Sequence, residues 1–357
     1  MKKFHTLTIS DVKRETPETV SLTFAVPAAE QQFFTYKQGQ HLTLRTVLDG
    51  EEIRRSYSIC TSVADACLKV AVRQVEDGAF STFANEQLKA GDQLEVMPPL
   101  GHFNIDLDPS ATRNYAMFAA GSGITPILSI IKTTLEEEPN ARVTLFYGNR
   151  TSESTLFKNE ISDLKNRYLD RFTFFHFFSQ QSLEVDFFNG RLDKQKTSEI
   201  MERLMGSQSV DHAFICGPQA MIEAVSDGLK SHGVPAGAVH SELFVAGEGA
   251  APAPKRRAKA VEQAGRATLD VVMDGESKRV HMPDGETSIL DAVAQAGMDA
   301  PFSCKGGVCT TCRAKVIEGE VEMTLNYGLE KEEVAQGFVL TCQAFPVTPN
   351  VKLSFDE

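Results

Sequence analysis

Four of the seven cysteines stand where they could hold iron. Cys304, Cys309 and Cys312 lie in Pro301-Phe-Ser-Cys-Lys-Gly-Gly-Val-Cys-Thr-Thr-Cys, and Cys342 follows in Val339-Leu-Thr-Cys-Gln. The spacing C-x4-C-x2-C with a distant fourth Cys is that of a plant-type [2Fe-2S] site, in which four thiolates hold two irons. Gly306 and Gly307 let backbone N–H groups come close to the sulfurs without a Cβ in the way, and such bonds tune the potential. Structural zinc is the weaker reading, because it usually shows two C-x2-C pairs or a Cys/His mixture. A disulfide framework is weaker still in a long chain with an odd number of cysteines and no secretory segment. Inert buried thiols rank below both metal readings.

The chain is too long, at 357 residues, for one ordinary domain, so two or three are expected. Its 42% hydrophobic and 24% charged residues are those of a globular protein. The formal charge of −12 argues against a nucleic-acid partner. Residues 267–357 hold 7 basic against 15 acidic residues, which suits docking onto a positive patch of a redox partner or simply a solvated surface. The start, Met-Lys-Lys-Phe-His-Thr-Leu-Thr, has no apolar leader, and no stretch approaches the roughly 18 apolar residues of a membrane span. A cytoplasmic protein with no membrane partner is expected.

Three kinds of patterning divide the chain. Residues 1–107 carry short alternating runs such as Thr6-Leu-Thr-Ile-Ser, His41-Leu-Thr-Leu-Arg and Leu68-Lys-Val-Ala-Val, broken by turn residues, the pattern of a small antiparallel β-barrel with one helix from Ser81 to Leu88. Residues 108–245 alternate apolar strands (Tyr115-Ala-Met-Phe-Ala-Ala, Val143-Thr-Leu-Phe-Tyr, Phe172 to Phe178, His212-Ala-Phe-Ile-Cys) with helices, so a doubly wound α/β parallel sheet follows. The first of these helices would start at Pro126 behind a Thr125 cap, with Ile127, Ile130, Ile131 and Leu135 on one face. Residues 246–266, rich in Ala, Gly, Pro and basic side chains, read as a linker; about 22 residues behaving as a coil reach roughly 25 Å. From residue 267 a hairpin pattern, then a helix over Thr287–Ala296 stopped by Gly297, lead into the cysteine loop.

The first two regions carry their own chemistry. In Arg54-Arg55-Ser56-Tyr57-Ser58, an Arg can neutralise a pyrophosphate, a Tyr can stack on a flat ring and a Ser hydroxyl can bond a ring nitrogen. Gly78-Ala-Phe80-Ser81-Thr82 opens a helix and offers N–H groups to an anion. Each alone is equally an exposed strand or an ordinary helix start. Gly121-Ser-Gly123-Ile-Thr125-Pro126 is not G-x-G-x-x-G, yet it is a glycine turn between a parallel strand and a helix N-terminus, the arrangement that binds phosphate. Cys216 by default is a small core residue ending a strand.

Together these segments resemble the ferredoxin-NADP reductase superfamily. Arg55, Tyr57 and Ser58 match its R-x-Y-S flavin motif, Gly78 to Ser81 its G-x-x-S pyrophosphate turn, and Gly121–Pro126 with Cys216-Gly217-Pro218 its two nicotinamide-dinucleotide motifs. The resemblance implies FAD on the barrel, Cys216 beside the nicotinamide, and Glu242 and Phe244 at the flavin face, although a strand end packing on the core explains the last two nearly as well. It also implies a β-grasp ferredoxin domain of α+β class at the C-terminus. An acidic residue after the second parallel strand would select NADH; Arg150 stands there, with Lys158 further on, and a guanidinium favours a 2′-phosphate, so NADPH is expected over NADH.

The order flavin barrel, dinucleotide domain and plant-type ferredoxin resembles reductase components of multicomponent oxygenases, among them those of steroid and ring hydroxylases. That resemblance implies electron flow from NADPH to FAD to the [2Fe-2S] centre and on to a di-iron oxygenase, with Tyr57, Ser58, Cys216 and Glu242 around the reacting rings. The organic substrate would then bind the oxygenase. A redox-sensing or structural role is the alternative from another class.

Overall fold

The computed structural model describes residues 3–65, 67–206, 208–244, 262 and 264–357. Most of the expected linker, residues 246–261 and 263, therefore lies outside the described residues. The chain divides into two compact units, one holding nearly all of residues 5–244 and the other the C-terminal part.

In the first unit, six antiparallel strands come from the alternating N-terminal runs: β1 (His5–Thr16), β2 (Thr19–Ala25), β3 (His41–Leu48), β4 (Glu51–Ser58), β5 (Leu68–Arg73) and β6 (Gln93–Leu100). Their order is β4-β3-β6-β1-β2-β5. The two edges meet just past β4, through an antiparallel bridge between Ile59 and Val70 and a bond from the Cys60 N–H to the Lys69 carbonyl of 3.0 Å. Closure removes the open edges a flat sheet would leave. Inward residues such as Leu7, Ile9, Leu22, Leu42, Leu44, Val70 and Val72 are fully buried. Helix α1 (Ala79–Glu86) begins two residues earlier than the sequence pattern indicates; Phe80 and Ala84, one turn apart, face this core.

The same unit holds a parallel sheet of β7 (Asn114–Ala120), β8 (Arg142–Asn149), β9 (Phe172–Phe178), β10 (His212–Gly217) and β11 (Val239–Leu243), in the order β11-β10-β7-β8-β9. Alternate residues of one strand feed two cores. Tyr115, Met117 and Ala119 pack with α2 (Ile124–Glu137) and α3 (Lys158–Arg167), while Ala116 and Phe118 pack with α4 (Lys194–Ile200) and α5 (Gln219–Ser231). The strand order reverses between β7 and β10, and a ligand crevice forms at such a point. Phe172–Phe178 is the β9 strand, with Phe172 and Phe177 fully buried.

One expectation fails locally. Helix α2 starts at Ile124, because a 3₁₀ turn over Gly121–Gly123 runs directly into it, and Thr125 is therefore inside the helix rather than capping it. The Thr125 hydroxyl donates back to the Ser122 carbonyl at 3.0 Å. Pro126 falls on the third helical residue, where an N–H would have no intrahelical partner anyway.

The second unit contains a mixed sheet of β12 (Thr268–Met273), β13 (Glu276–His281), β14 (Arg313–Glu318), β16 (Phe338–Leu340) and β18 (Asn350–Ser354), in the order β13-β12-β18-β14-β16, with β12 parallel to β18. A small pair, β15 (Val321–Met323) with β17 (Ala344–Pro346), stands beside it. Helix α6 (Ile289–Gln295), with Ser288 accepting from the Asp291 N–H at 3.1 Å as its cap, buries Leu290 and Val293 in the core; α7 (Lys331–Ala335) is a short surface turn. Ala264 is already fully buried, so packing resumes three residues before the boundary read from composition.

Candidate functional site

The nucleotide loops are set by close backbone contact. A Cβ on Gly123 would lie 2.2 Å from the Cys216 carbonyl oxygen, so only glycine lets the turn after β7 rest on the end of β10. The buried Tyr147 of β8 donates its hydroxyl to the Gly121 carbonyl at 2.9 Å and thereby fixes the far side of the turn. Gly217 ends β10, and Pro218 caps α5. Two helix N-termini, those of α2 and α5, thus open beside the reversal point of the sheet, with their first N–H groups lacking intrahelical partners. Arg73, at the end of β5, brings its guanidinium within 3.7 Å of the position a Gly121 Cβ would take, and is paired with Glu18 at 3.0 Å. Sequence reasoning missed Arg73 and the hydroxyl of Tyr147; nothing in their local sequence signals a long-range contact.

Ser58, Cys216 and Glu242 come together. Cys216 and Glu242 are register partners on β10 and β11, and the buried Ser58 hydroxyl donates to Glu242 Oε2 at 3.4 Å. Burial pushes the Glu242 carboxyl up to about 8, with the Ser58 hydrogen bond opposing the shift, so it holds its proton near neutral pH. Burial, and then the Glu242 charge, raise the Cys216 thiol well above its ordinary 9, and a thiol kept neutral is not a nucleophile. Phe244 packs partly buried against the neighbouring core.

On β4, Arg55 and Tyr57 are half-buried, and the Tyr57 ring lies 5.5 Å from that of Phe80. The Phe80 side chain itself is in the barrel core, so only its backbone is available to a ligand. Ser81 donates to the Gly78 carbonyl at 3.0 Å and accepts from the Val75 N–H at 3.2 Å; its hydroxyl shapes the turn. The Thr82 N–H bonds the Gly78 carbonyl at 2.9 Å, which leaves the N–H groups of residues 79–81 as the free first turn of α1. An R-x-Y-S strand opposite a helix N-terminus fits a flavin with its pyrophosphate. Arg150 is exposed just past the end of β8, and the Lys158 ammonium donates to the Ser152 hydroxyl at 2.7 Å, which places both cations on one loop.

The four sulfurs of the second unit form two pairs. Cys304 accepts from the Gly306 N–H at 3.3 Å and from the Cys309 N–H at 3.4 Å, while the Cys304 N–H reaches Cys309 Sγ at 3.5 Å. A hydrogen bond from the Cys309 thiol, joined by backbone N–H groups against the opposing effect of burial, holds Cys304 down at about 5, a thiolate. The partner thiol of Cys309 is raised by giving that bond. Cys312 and Cys342 pair the same way, with Cys312 raised by its bond to Cys342 and by burial. The Thr341 hydroxyl donates to the Cys312 carbonyl at 2.8 Å and keeps the second pair in register. Among the described residues no three His, Cys, Asp or Glu side chains converge as a single-ion site. Two thiol pairs, one per iron, with N–H groups aimed at sulfur, fit a [2Fe-2S] cluster.

Comparison with known proteins agrees with these three constellations. Residues 6–105 match an oxidoreductase FAD-binding domain, 117–227 an oxidoreductase NAD-binding domain, and 271–347 a 2Fe-2S iron-sulfur cluster binding domain. The chain is 42% identical over 356 residues to the 1,2-phenylacetyl-CoA epoxidase component of this length in Escherichia coli K12, covering 100% of this chain and 99% of the relative. It is 34% identical over 354 residues to the ferredoxin reductase component of the 3-ketosteroid-9-alpha-monooxygenase of Rhodococcus rhodochrous, covering 98% and 96%. Among solved structures, phthalate dioxygenase reductase has the same fold over 99% of this chain and 98% of its own, with a TM-score of 0.59 at 22% identity. An intact type IV self-sufficient cytochrome P450 monooxygenase matches 98% of this chain and 41% of its own at a TM-score of 0.69 and 20% identity.

Proposed function

The chain belongs to the family of oxygenase reductases that join FAD-binding, NAD-binding and 2Fe-2S domains, and from that membership we propose that it passes electrons from NADPH to the di-iron oxygenase of a phenylacetyl-CoA epoxidase. The observation that carries the acceptor is the end-to-end likeness to the epoxidase component, at 42% identity against 34% for the steroid monooxygenase component. FAD, when bound, turns the two-electron oxidation of a nicotinamide into single electrons that a [2Fe-2S] cluster can carry.

The protein's own part is positioning and electrostatics. Arg55 and the first turn of α1 hold the flavin pyrophosphate, Tyr57 stacks on the ring and Ser58 bonds it. Gly123 against Cys216 sets how close the nicotinamide comes, and Glu242, neutral near pH 7, is a hydrogen-bond donor at the reacting rings. Arg150 and Lys158 receive the 2′-phosphate of NADPH. Cys304 with Cys309 holds one iron, and Cys312 with Cys342 the other. The seven free thiols suit the reducing cytoplasm, and among the described residues no helix is long and apolar enough to cross a membrane.

Reconstitution tests this reading. With purified phenylacetyl-CoA epoxidase oxygenase components, NADPH consumption should depend on phenylacetyl-CoA and match product one to one. Turnover with a steroid or ring hydroxylase oxygenase, and none with the epoxidase, would assign a different acceptor.

A further inference from the structure

Gln343, the residue after the last cluster cysteine, reaches away from its own cysteine and into the loop that carries the first. Its side-chain N–H donates to the Lys305 carbonyl at 2.8 Å, and its side-chain carbonyl accepts from the Thr324 hydroxyl at 2.8 Å. The two partners fix which end of the amide is which, since Lys305 offers an acceptor and Thr324 a donor. The Gln343 backbone carbonyl also accepts from the Thr324 N–H at 2.9 Å, so the strand pair anchors the side chain at its root. On the other side of the loop, Gln343 Cγ stands 3.2 Å from where a Gly307 Cβ would be.

Gln343 therefore touches Lys305 and Gly307, the two residues that bracket Gly306, whose N–H points at Cys304 Sγ at 3.3 Å. Both brackets are left-handed, Lys305 with φ +50° and Gly307 with φ +74°. A lysine in that region is strained and persists only where its surroundings hold it. Two restraints do so: the Gln343 amide on its carbonyl, and Asp291 of α6, which pairs with the Lys305 ammonium at 2.7 Å and accepts from the Ser288 hydroxyl at 2.8 Å. The amide is the restraint on the backbone itself.

We propose that Gln343 is a positioning residue for the [2Fe-2S] centre: by clamping Lys305 in its left-handed conformation it keeps the Gly306 N–H on Cys304 and so sets the potential at which the cluster accepts an electron. Cys304 is the most exposed of the four cysteines, so its sulfur depends most on these N–H groups. Hydrogen bonds to sulfur stabilise the more negative, reduced cluster, and loosening them lowers the potential. This rests on Cys304, Cys309, Cys312 and Cys342 being the cluster ligands.

The test compares full-length, FAD-loaded wild type with Gln343→Met, which keeps the length and the packing on Gly307 but removes both amide bonds, and with Thr324→Val, which frees the amide without touching the loop. Potentiometric titration followed by EPR reads the cluster, and the flavin potential serves as internal control. Gln343→Met should lower the reduced-to-oxidised ratio at fixed ambient potential about tenfold, a shift of about 59 mV for a one-electron centre. Thr324→Val should move it the same way by less, with the flavin unmoved in both. A cluster potential and EPR spectrum unchanged in Gln343→Met overturns the proposal. Should that variant lose its iron, Thr324→Val decides alone: a downward shift supports the clamp, and no shift overturns it. Absence of a [2Fe-2S] spectrum from the wild type would instead refute the ligand assignment.

Discussion

Replacing Gly123 by alanine should separate the two nucleotide loops and slow the NADPH half-reaction while leaving the cluster untouched. The added Cβ would sit 2.2 Å from the Cys216 carbonyl oxygen and 2.6 Å from its carbon, both backbone atoms of a buried strand. Carbon–oxygen contacts rarely fall below about 3.3 Å, so the loops must part by about 1 Å. The neighbour cannot swing aside as a side chain would. A 1 Å misplacement of reacting groups costs up to about 100-fold in rate, or about 2.7 kcal/mol of barrier, and overpacking of this kind costs a further 1–3 kcal/mol of stability, roughly. NADPH-dependent ferricyanide reduction should therefore lose about two orders of magnitude in kcat/KM, with FAD content and the cluster EPR signal retained. A variant within about twofold of wild type would refute the idea that this contact sets the approach of the nicotinamide.

Glu242→Gln should flatten part of the pH dependence of stability. Because the folded carboxyl is raised to about 8 from 4.5, the stability it contributes is fully present below about 4.5, is lost as the pH rises and is gone above about 8. The melting temperature of Glu242→Gln should gain on wild type between pH 5 and 8.5, by the equivalent of a few kcal/mol at most; parallel curves would show that the carboxyl ionises normally. Arg150→Ala should reduce kcat/KM for NADPH by about 10- to 100-fold, the loss of a charge-assisted bond, and leave that for NADH nearly unchanged. An unaltered NADPH/NADH ratio would remove Arg150 from the specificity site.

What can be read from the chain follows the range of the interactions. The cluster cysteines and the glycine turn after β7 are local patterns in which residue type and spacing carry the geometry, and the strand periods indicate the barrel and the parallel sheet. The roles of Thr125 and Ser81 are only half legible, because each hydroxyl is used inside its own turn, and that depends on a 3₁₀ start and a helix offset of two residues. Closure of the barrel through Ile59 and Val70, the support of Gly121 by Tyr147, the nearness of Arg73 and the clamp by Gln343 all join residues far apart in sequence. Tertiary packing alone brings them together, so no periodicity announces them.

The central claim is that electrons leave through the cysteine domain, and Cys342→Ser tests it most directly. The account predicts that this variant, folded and carrying FAD, still reduces ferricyanide with NADPH at a rate near wild type but loses the [2Fe-2S] EPR signal and the reduction of cytochrome c and of the oxygenase. Undiminished electron delivery to the oxygenase without the cluster, or loss of the ferricyanide reaction in a flavin-loaded protein, would contradict it.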